Sequence, residues 1–515
     1  MGIVVKQSIK STLVSYTGVL LGAFNVLWLY PKFLAPENIG LIRLLQDIPT
    51  LLAMFVQLGA FSIIDRYFHH FKDDPQERKS FLTVISLYPL AGYTLFVLSF
   101  FLFRSFWENI YASNSQLLVE HMIYLLPITF FMMYTSLMES LIRTNLNVVF
   151  AGFLREILIR ALYTTFIFLY ALKAVSFEQL IFLIATSYAI CLVLLYIYAK
   201  RLDLLAFTLK LKLPPKEKLR EIGMYVAFFI PGTAGSIIAH KIDTLMLGAI
   251  SGTTQNEGLV NVAIYSLGYF IGSVVEIPRK SISQISIPIL SKSFAENDLK
   301  TISTLYKKNS QIQLVTGIYI FSMIWINVDD LFVFIPQSEI YRSGKYVILF
   351  IGLSKLFDMA TSINGEIIQF SNHYKFNVVA IGSLSAITAI SCLIFIPIYK
   401  ITGAAVALTL TIFLFNFIKT YFIWHKMKLS PFSAQMIPVS ILCMVTLILS
   451  SLINRPVHTV YEAFGWILFN CTLFTIIFYF MIRKLKLSED INNLIDMVLQ
   501  FVTNKTGMKW VRKYL

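Results

Sequence analysis

The chain has 515 residues, of which 57% are hydrophobic and 14% charged, and its net charge is +15. Apolar runs of about 20 residues recur along it, which excludes an ordinary soluble domain; an outer-membrane barrel, with its short alternating strands, is excluded as well. The positive excess fits Lys and Arg retained in cytoplasmic loops rather than nucleic-acid binding, for which the sequence carries no motif.

In chain order, the apolar runs predict membrane helices over 11–31, 41–64, 80–103, 118–142, 148–172, 178–199, 222–250, 259–278, 311–335, 344–370, 376–398, 401–424, 433–453 and 463–482. Helices are required because lipid satisfies no backbone N–H or C=O. The opening run, Ser11–Tyr30, is too long for a signal peptide and reads as the first span. With the N-terminus inside, 32 of the 43 basic residues fall in inward gaps or, like Arg155 and Lys419, near inner helix ends, and 7 in outward gaps. That asymmetry predicts a multi-pass membrane protein with cytoplasmic N- and C-termini.

Short outward and long inward gaps recur in step between spans one to six and seven to twelve. An even number of spans per half makes the halves parallel, related by an axis along the membrane normal. The expected fold is therefore an all-α polytopic membrane protein with about 14 transmembrane helices: two six-helix lobes in parallel pseudo-twofold repeat plus a C-terminal helix pair. The expected divisions are an N-terminal lobe over 1–200, a cytoplasmic linker over 201–221, a second lobe over 222–425, the helix pair over 426–485, and an amphipathic tail over 486–515. Within the linker, 202–213 mixes Leu and Phe with Lys210 and Lys212. The tail opens on Ser488, Glu489 and Asp490, carries apolar residues at helical spacing, and is expected to lie on the anionic inner leaflet.

Four basic residues lie inside the apolar spans: Arg43, Arg160, Lys241 and Lys355. Each costs about 2.5–3.5 kcal/mol at mid-bilayer unless paired or hydrated. Spacing offers local partners to three of them: Asp47 four residues after Arg43, Glu156 four before Arg160, and Asp358 three after Lys355. Lys241 has Asp243 at i+2, on a different face, and so lacks a local partner. Span ten is polar, with Lys355, Asp358, Ser362, Asn364, Glu366 and Gln369; Glu366 has no base one helical turn away. Pro127 and Pro231 read as mid-span kinks, and Gly18 with Gly22 as a packing face. The four cysteines, Cys191, Cys392, Cys443 and Cys471, all lie in apolar segments without Cys/His spacing, so neither a metal site nor a cofactor is expected.

Several motifs resemble the polysaccharide (O-antigen type) flippases of the multidrug/oligosaccharidyl-lipid/polysaccharide (MOP) exporter superfamily. They are Leu34-Ala-Pro-Glu-Asn-Ile-Gly40, Gly59-Ala-Phe-Ser-Ile-Ile-Asp-Arg66, Lys241-Ile-Asp243-Thr-Leu-Met-Leu-Gly248, and Ile264 through Gly272 with Glu276 and Pro278 beyond. The resemblance implies a place in the bacterial inner (plasma) membrane, alternating access around a central cavity and a polyprenyl-pyrophosphate-linked oligosaccharide as cargo, used in cell-surface polysaccharide biosynthesis. Lys241, Arg43 and Lys355 are then the expected binders of the pyrophosphate or glycan. Glu366, Asp243, Asp358 and Asp47 are the candidates for coupling to H+, Na+ or the membrane potential. Expected partners are the lipid-linked oligosaccharide, membrane lipids and other polysaccharide-assembly membrane proteins. The runner-up is a cation-coupled multidrug exporter of the same superfamily, which the intramembrane bases disfavour. A membrane-embedded glycan polymerase ranks below it, for want of an outward catalytic loop or an HExxH, GxSxG or phosphate-loop motif.

Overall fold

The computed structural model describes residues 2–71, 74–145, 148–212, 214–452 and 459–485. The expected tail, 486–515, lies outside the described residues. Among those described there is no strand. The principal helices are α1 (Gly2–Phe24), α2 (Pro36–Val56), α3 (Pro75–Leu102), α4 (Leu125–Arg143), α5 (Val148–Phe153 through a π turn to Ile159–Ala171), α6 (Phe177–Arg201), α7 (Lys216–Ile250) and α8 (Glu257–Ser273). They continue with α9 (Ile277–Ala295), α10 (Leu299–Ile326), α11 (Lys345–Thr361), α12 (Asn364–Phe370), α13 (Tyr374–Met427), α14 (Met436–Leu452) and α15 (Val460–Leu485).

Among the described residues, eight helices are long and apolar enough to cross a membrane, or nine if α11 and α12, bent by 45°, are one span. The expected fourteen is a larger number, and particular residues account for part of the gap. Arg155, Glu156 and Arg160 interrupt the apolar run of α5, and α10 opens on Lys300, Lys307 and Lys308. In α14 the apolar stretch Met436–Ile448 is short. Helix α13 covers two expected spans, and its backbone breaks at Lys400 (φ 49°, ψ −124°), between 376–398 and 401–424. Gly403 permits that turn, because a Cβ there would lie 2.1 Å from the Phe395 carbonyl oxygen.

Local sequence sets the helix starts. Asp74 accepts from the backbone N–H groups of Gln76 and Glu77 ahead of Pro75, which fits the first helical turn. Ser176 and Gln179 form a capping box at α6, and Asp298 caps α10 through Thr301 N–H. Pro127 is not a mid-span kink. The chain already breaks at a 3-10 turn, Met122–Tyr124, so Pro127 falls in the first turn of α4, where its missing N–H costs nothing.

Packing divides the chain into two units. Unit 1 comprises Met1–Phe270, Ile335–Val347 and Val378–Thr411; unit 2 comprises Ile271–Phe334, Ile348–Asn377 and Ile412–Leu515. The packing units and the expected repeat halves are thus different divisions of the chain. In unit 1, α4 packs on α6 and α2, and α7 packs on α2. The motif glycine Gly40 makes room for α8: a Cβ on it would lie 2.0 Å from the Leu259 carbonyl oxygen. Gly235 of α7 serves close packing too, since Ser385 Oγ donates to its carbonyl at 2.5 Å. In unit 2, α10 packs on α9, α14 and α15, and α9 on α12. Large apolar side chains stay exposed on the helices, among them Leu95, Leu98, Phe182, Val193 and Ile394. Water would penalise such a surface, and hydrocarbon would not.

Candidate functional site

The intramembrane charges gather into two clusters, one in each unit. In unit 1 the centre is Asp47 of α2. Arg43 Nε lies 2.8 Å from Asp47 Oδ2, one turn away on the same helix. Lys241 Nζ of α7 lies 2.5 Å from Asp47 Oδ1. Lys241 is therefore paired, contrary to the expectation from its own helix; the partner comes from α2, which local spacing does not see. Asp243, fully buried, accepts from the Tyr265 hydroxyl of α8 and from Thr244 N–H.

Exposure sorts these charges by sign. The Arg43 and Lys241 side chains are 33% and 25% exposed, whereas Asp47 is 3% exposed and Asp243 wholly enclosed. The acids stand behind and the bases in front, so the accessible face is cationic although the cluster is formally balanced. Low-dielectric surroundings strengthen that field relative to water.

Unit 1 holds a third intramembrane base. Arg160 of α5 pairs with Glu156 at 3.0 Å, as its spacing predicts. Its guanidinium lies against Gly22 of α1, where a Cβ would sit 3.4 Å from Arg160 Cζ. At Gly18 a Cβ would lie 2.8 Å from the Glu156 carbonyl oxygen. The expected packing face of Gly18 and Gly22 is thus a berth for this ion pair. Both helices carry a π turn here, Asn25–Leu29 after α1 and Leu154–Leu158 within α5. Such turns are frequent at functional sites. Buried Asn25 ties them together: its amide donates to the Arg160 carbonyl at 3.0 Å and its carbonyl accepts from Thr164 Oγ1 at 2.7 Å. Nearby, the Tyr163 hydroxyl donates to the Tyr188 hydroxyl at 3.0 Å.

In unit 2, Lys355 pairs with Glu276 and also acts electrostatically on Asp358. Asp358 holds Arg279 at 2.6 Å and accepts from Asn416 Nδ2 at 3.2 Å; Asn416 in turn accepts from Asn364 at 2.9 Å. Lys355 and Asp358 share a helix, and each gains a partner from outside it, Glu276 just before α9 and Arg279 within α9. Lys419, assigned from sequence to an inner helix end, is 8% exposed, with its ammonium 3.9 Å from the Phe415 ring centroid. Glu366 is not isolated, because Arg279 and Lys419 both interact with it across helices. The cluster surrounds the break between α11 and α12, where Ser362 takes φ 51°. It holds three bases and three acids, Arg279, Lys355 and Lys419 with Glu276, Asp358 and Glu366. Its two lysines are buried, with the Lys355 side chain 7% exposed and Lys419 8%, whereas Arg279 is 25% exposed. Among the described residues no His, Cys, Asp and Glu group could hold a metal ion.

Sequence reasoning missed Arg279 and Lys419 because the first was counted in an inward gap and the second at an inner helix end. The motif residues Glu276 and Pro278, adjacent to Arg279, were the available signal.

Residues 5–294 match the family model described as "Polysaccharide biosynthesis protein". The chain belongs to the polysaccharide biosynthesis protein family. The match spans α1 to α9 and so includes the whole unit 1 cluster. No curated protein sequence matches this family member significantly. Its fold is similar to that of the lipid II flippase MurJ in an inward closed conformation, with a TM-score of 0.70 and 16% identity over 93% of this chain and 99% of that one. It is also similar to an inward-facing multidrug resistance MATE transporter of the MOP superfamily, with a TM-score of 0.61 and 13% identity over 83% and 99% of the two chains. A third likeness is to a MOP superfamily transporter from Pyrococcus furiosus, described by a reversed polarity of its binding pocket. There the TM-score is 0.56, with 16% identity over 82% of this chain and 95% of that one. This member of the polysaccharide biosynthesis protein family therefore has the fold of MOP superfamily transporters.

Proposed function

We propose that this protein is an alternating-access flippase that moves a polyprenyl-pyrophosphate-linked oligosaccharide across the bacterial inner membrane. The observation that carries this reading is the sign-sorted cluster of unit 1, in which partly exposed Arg43 and Lys241 stand in front of enclosed Asp47 and Asp243. A pyrophosphate entering there meets two charged donors whose counter-ion it replaces in part. Guanidinium and ammonium groups bind phosphate oxygens through short charge-assisted hydrogen bonds. The polyprenyl tail stays in lipid against the apolar helix surface. Family membership and the likeness to a lipid II flippase support the same cargo class.

Lys355 takes a structural role in this reading, since it is enclosed and already paired with Glu276. The unit 2 cluster, with Glu366 and Asp358 beside a helix break, is the proposed place for H+ or Na+ coupling. The membrane potential assists as well: an anion moved outward from an inside-negative cell gains about 2.3 kcal/mol per charge per 100 mV.

Deleting the protein tests the proposal. Lipid-linked repeat units should accumulate on the inner leaflet, and normal surface polysaccharide without such accumulation would overturn it. The cation-coupled multidrug reading predicts instead a loss of organic-cation efflux in the same strain.

A further inference from the structure

The segment between α6 and α7, expected to be amphipathic linker, is not helical over 204–212 and bends at 209–210. It lies along the first two turns of α3, fastened by side-chain hydrogen bonds at a period of two. Thr208 N–H donates to Thr83 Oγ1 at 3.0 Å, and Lys212 N–H to Ser80 Oγ at 2.9 Å. Between them the Lys210 carbonyl accepts from Gln76 Nε2 at 2.6 Å. Lys212 Nζ closes the end, 2.8 Å from Asp74 and 2.9 Å from Glu77. Leu204, 1% exposed, anchors the other end in the core of unit 1.

Phe207, Leu209 and Leu211 are 68%, 87% and 50% exposed, whereas the neighbouring Leu205 and Ala206 pack against the core. Three large apolar side chains on a strap held by polar bonds are not there for the core.

Position and charge identify what they meet. The strap crosses the start of α3 and follows the end of α6, both long and apolar enough to span a membrane, so it runs at the depth where such spans end. From Lys200 to Arg220 the sequence has seven basic residues and two acidic ones. Lys200, Arg201 and Lys210 are exposed. Apolar residues that enter the acyl boundary beside bases that face headgroups are the pattern of an interfacial anchor on anionic lipid.

We infer that residues 204–212 form an interfacial strap that inserts Phe207, Leu209 and Leu211 into the anionic leaflet on its own side of the membrane. Anchored there, the strap fixes the chain between α6 and α7 to both the lipid surface and α3. The inference stands on this segment alone and is independent of the cargo.

Spin labels test it. The full chain, with Cys191, Cys392, Cys443 and Cys471 replaced by alanine, carries a nitroxide at Leu209→Cys, Phe207→Cys or Lys210→Cys and is reconstituted in phosphatidylcholine vesicles with or without phosphatidylglycerol. In the anionic vesicles the labels at 209 and 207 should be several-fold more accessible to oxygen than to a water-soluble nickel complex, and the label at 210 should show the reverse. Omitting phosphatidylglycerol should make the 209 label shallower. Equal nickel access at 209 and 210 would overturn the inference. So would a 209 label shielded from both reagents, which would mark a protein partner as the cover.

Discussion

Lys241 and Asp47, 194 residues apart in the sequence, meet with Nζ and Oδ1 at 2.5 Å. Asp47 also holds Arg43, so one enclosed carboxylate serves two bases. This sharing makes the three residues separable by mutation.

In Lys241→Ala, Asp47 keeps its bond to Arg43, so protein level and thermal stability in detergent should stay near wild type while glycan export is lost. Complementation of a deletion strain, read with immunoblotting of membranes, checks this. Full complementation would remove Lys241 from the cargo site.

Asp47→Ala should behave differently. It leaves Arg43 and Lys241 facing each other without their counter-ion, and breaking a buried pair from one side costs about 3–5 kcal/mol. The unfolding temperature should drop clearly below that of Lys241→Ala. Equal stabilities for the two variants would show that the enclosed acid does not hold the cluster together.

Gly40→Ala places a methyl group against the Leu259 carbonyl, a backbone atom that cannot turn aside. Overpacking of this kind costs about 1–3 kcal/mol. The variant should unfold earlier in a thermal scan, whereas Gly152→Ala, with open space around it, should not.

In unit 2, Glu366→Gln removes a charge near Arg279 and Lys419 while keeping the side-chain volume. Head-group binding should persist, and the dependence of transport on an imposed H+ or Na+ gradient should vanish. Undiminished gradient dependence in reconstituted vesicles would exclude Glu366 from coupling.

The strap should respond to pH at its Lys212 latch. The hydrogen bond from Lys212 holds the Asp74 carboxyl below the usual range, and the same bond pushes the Lys212 ammonium up to about 12. The contribution of Asp74 is present above its unfolded value of about 4 and lost as pH falls below it; that of Lys212 is complete below about 10.4 and lost as pH rises through its folded value. A nitroxide at Lys210→Cys should keep constant mobility between these limits and loosen in acid. Constant mobility down to strong acid would show that the latch does not hold the strap.

The sequence by itself determined the class of this protein, because hydropathy is a local property and each apolar run must become a helix in lipid. The break at Lys400 fell where two runs meet, and the Arg43–Asp47 and Arg160–Glu156 pairs followed from spacing, because i and i+4 always share a helix face. Family resemblance was legible from motif residues such as Gly40 and Lys241, although not why Gly40 is needed. Only the tertiary structure decided which helix faces meet. It gave Lys241 a partner on α2, added Glu276 to Lys355, and brought Arg279 and Lys419 to Glu366. It also showed 204–212 without helix, where the side chains of Ser80 and Thr83 on α3 accept from its backbone N–H groups. An interaction within one turn is written into the order of residues, whereas one between helices depends on how both are packed.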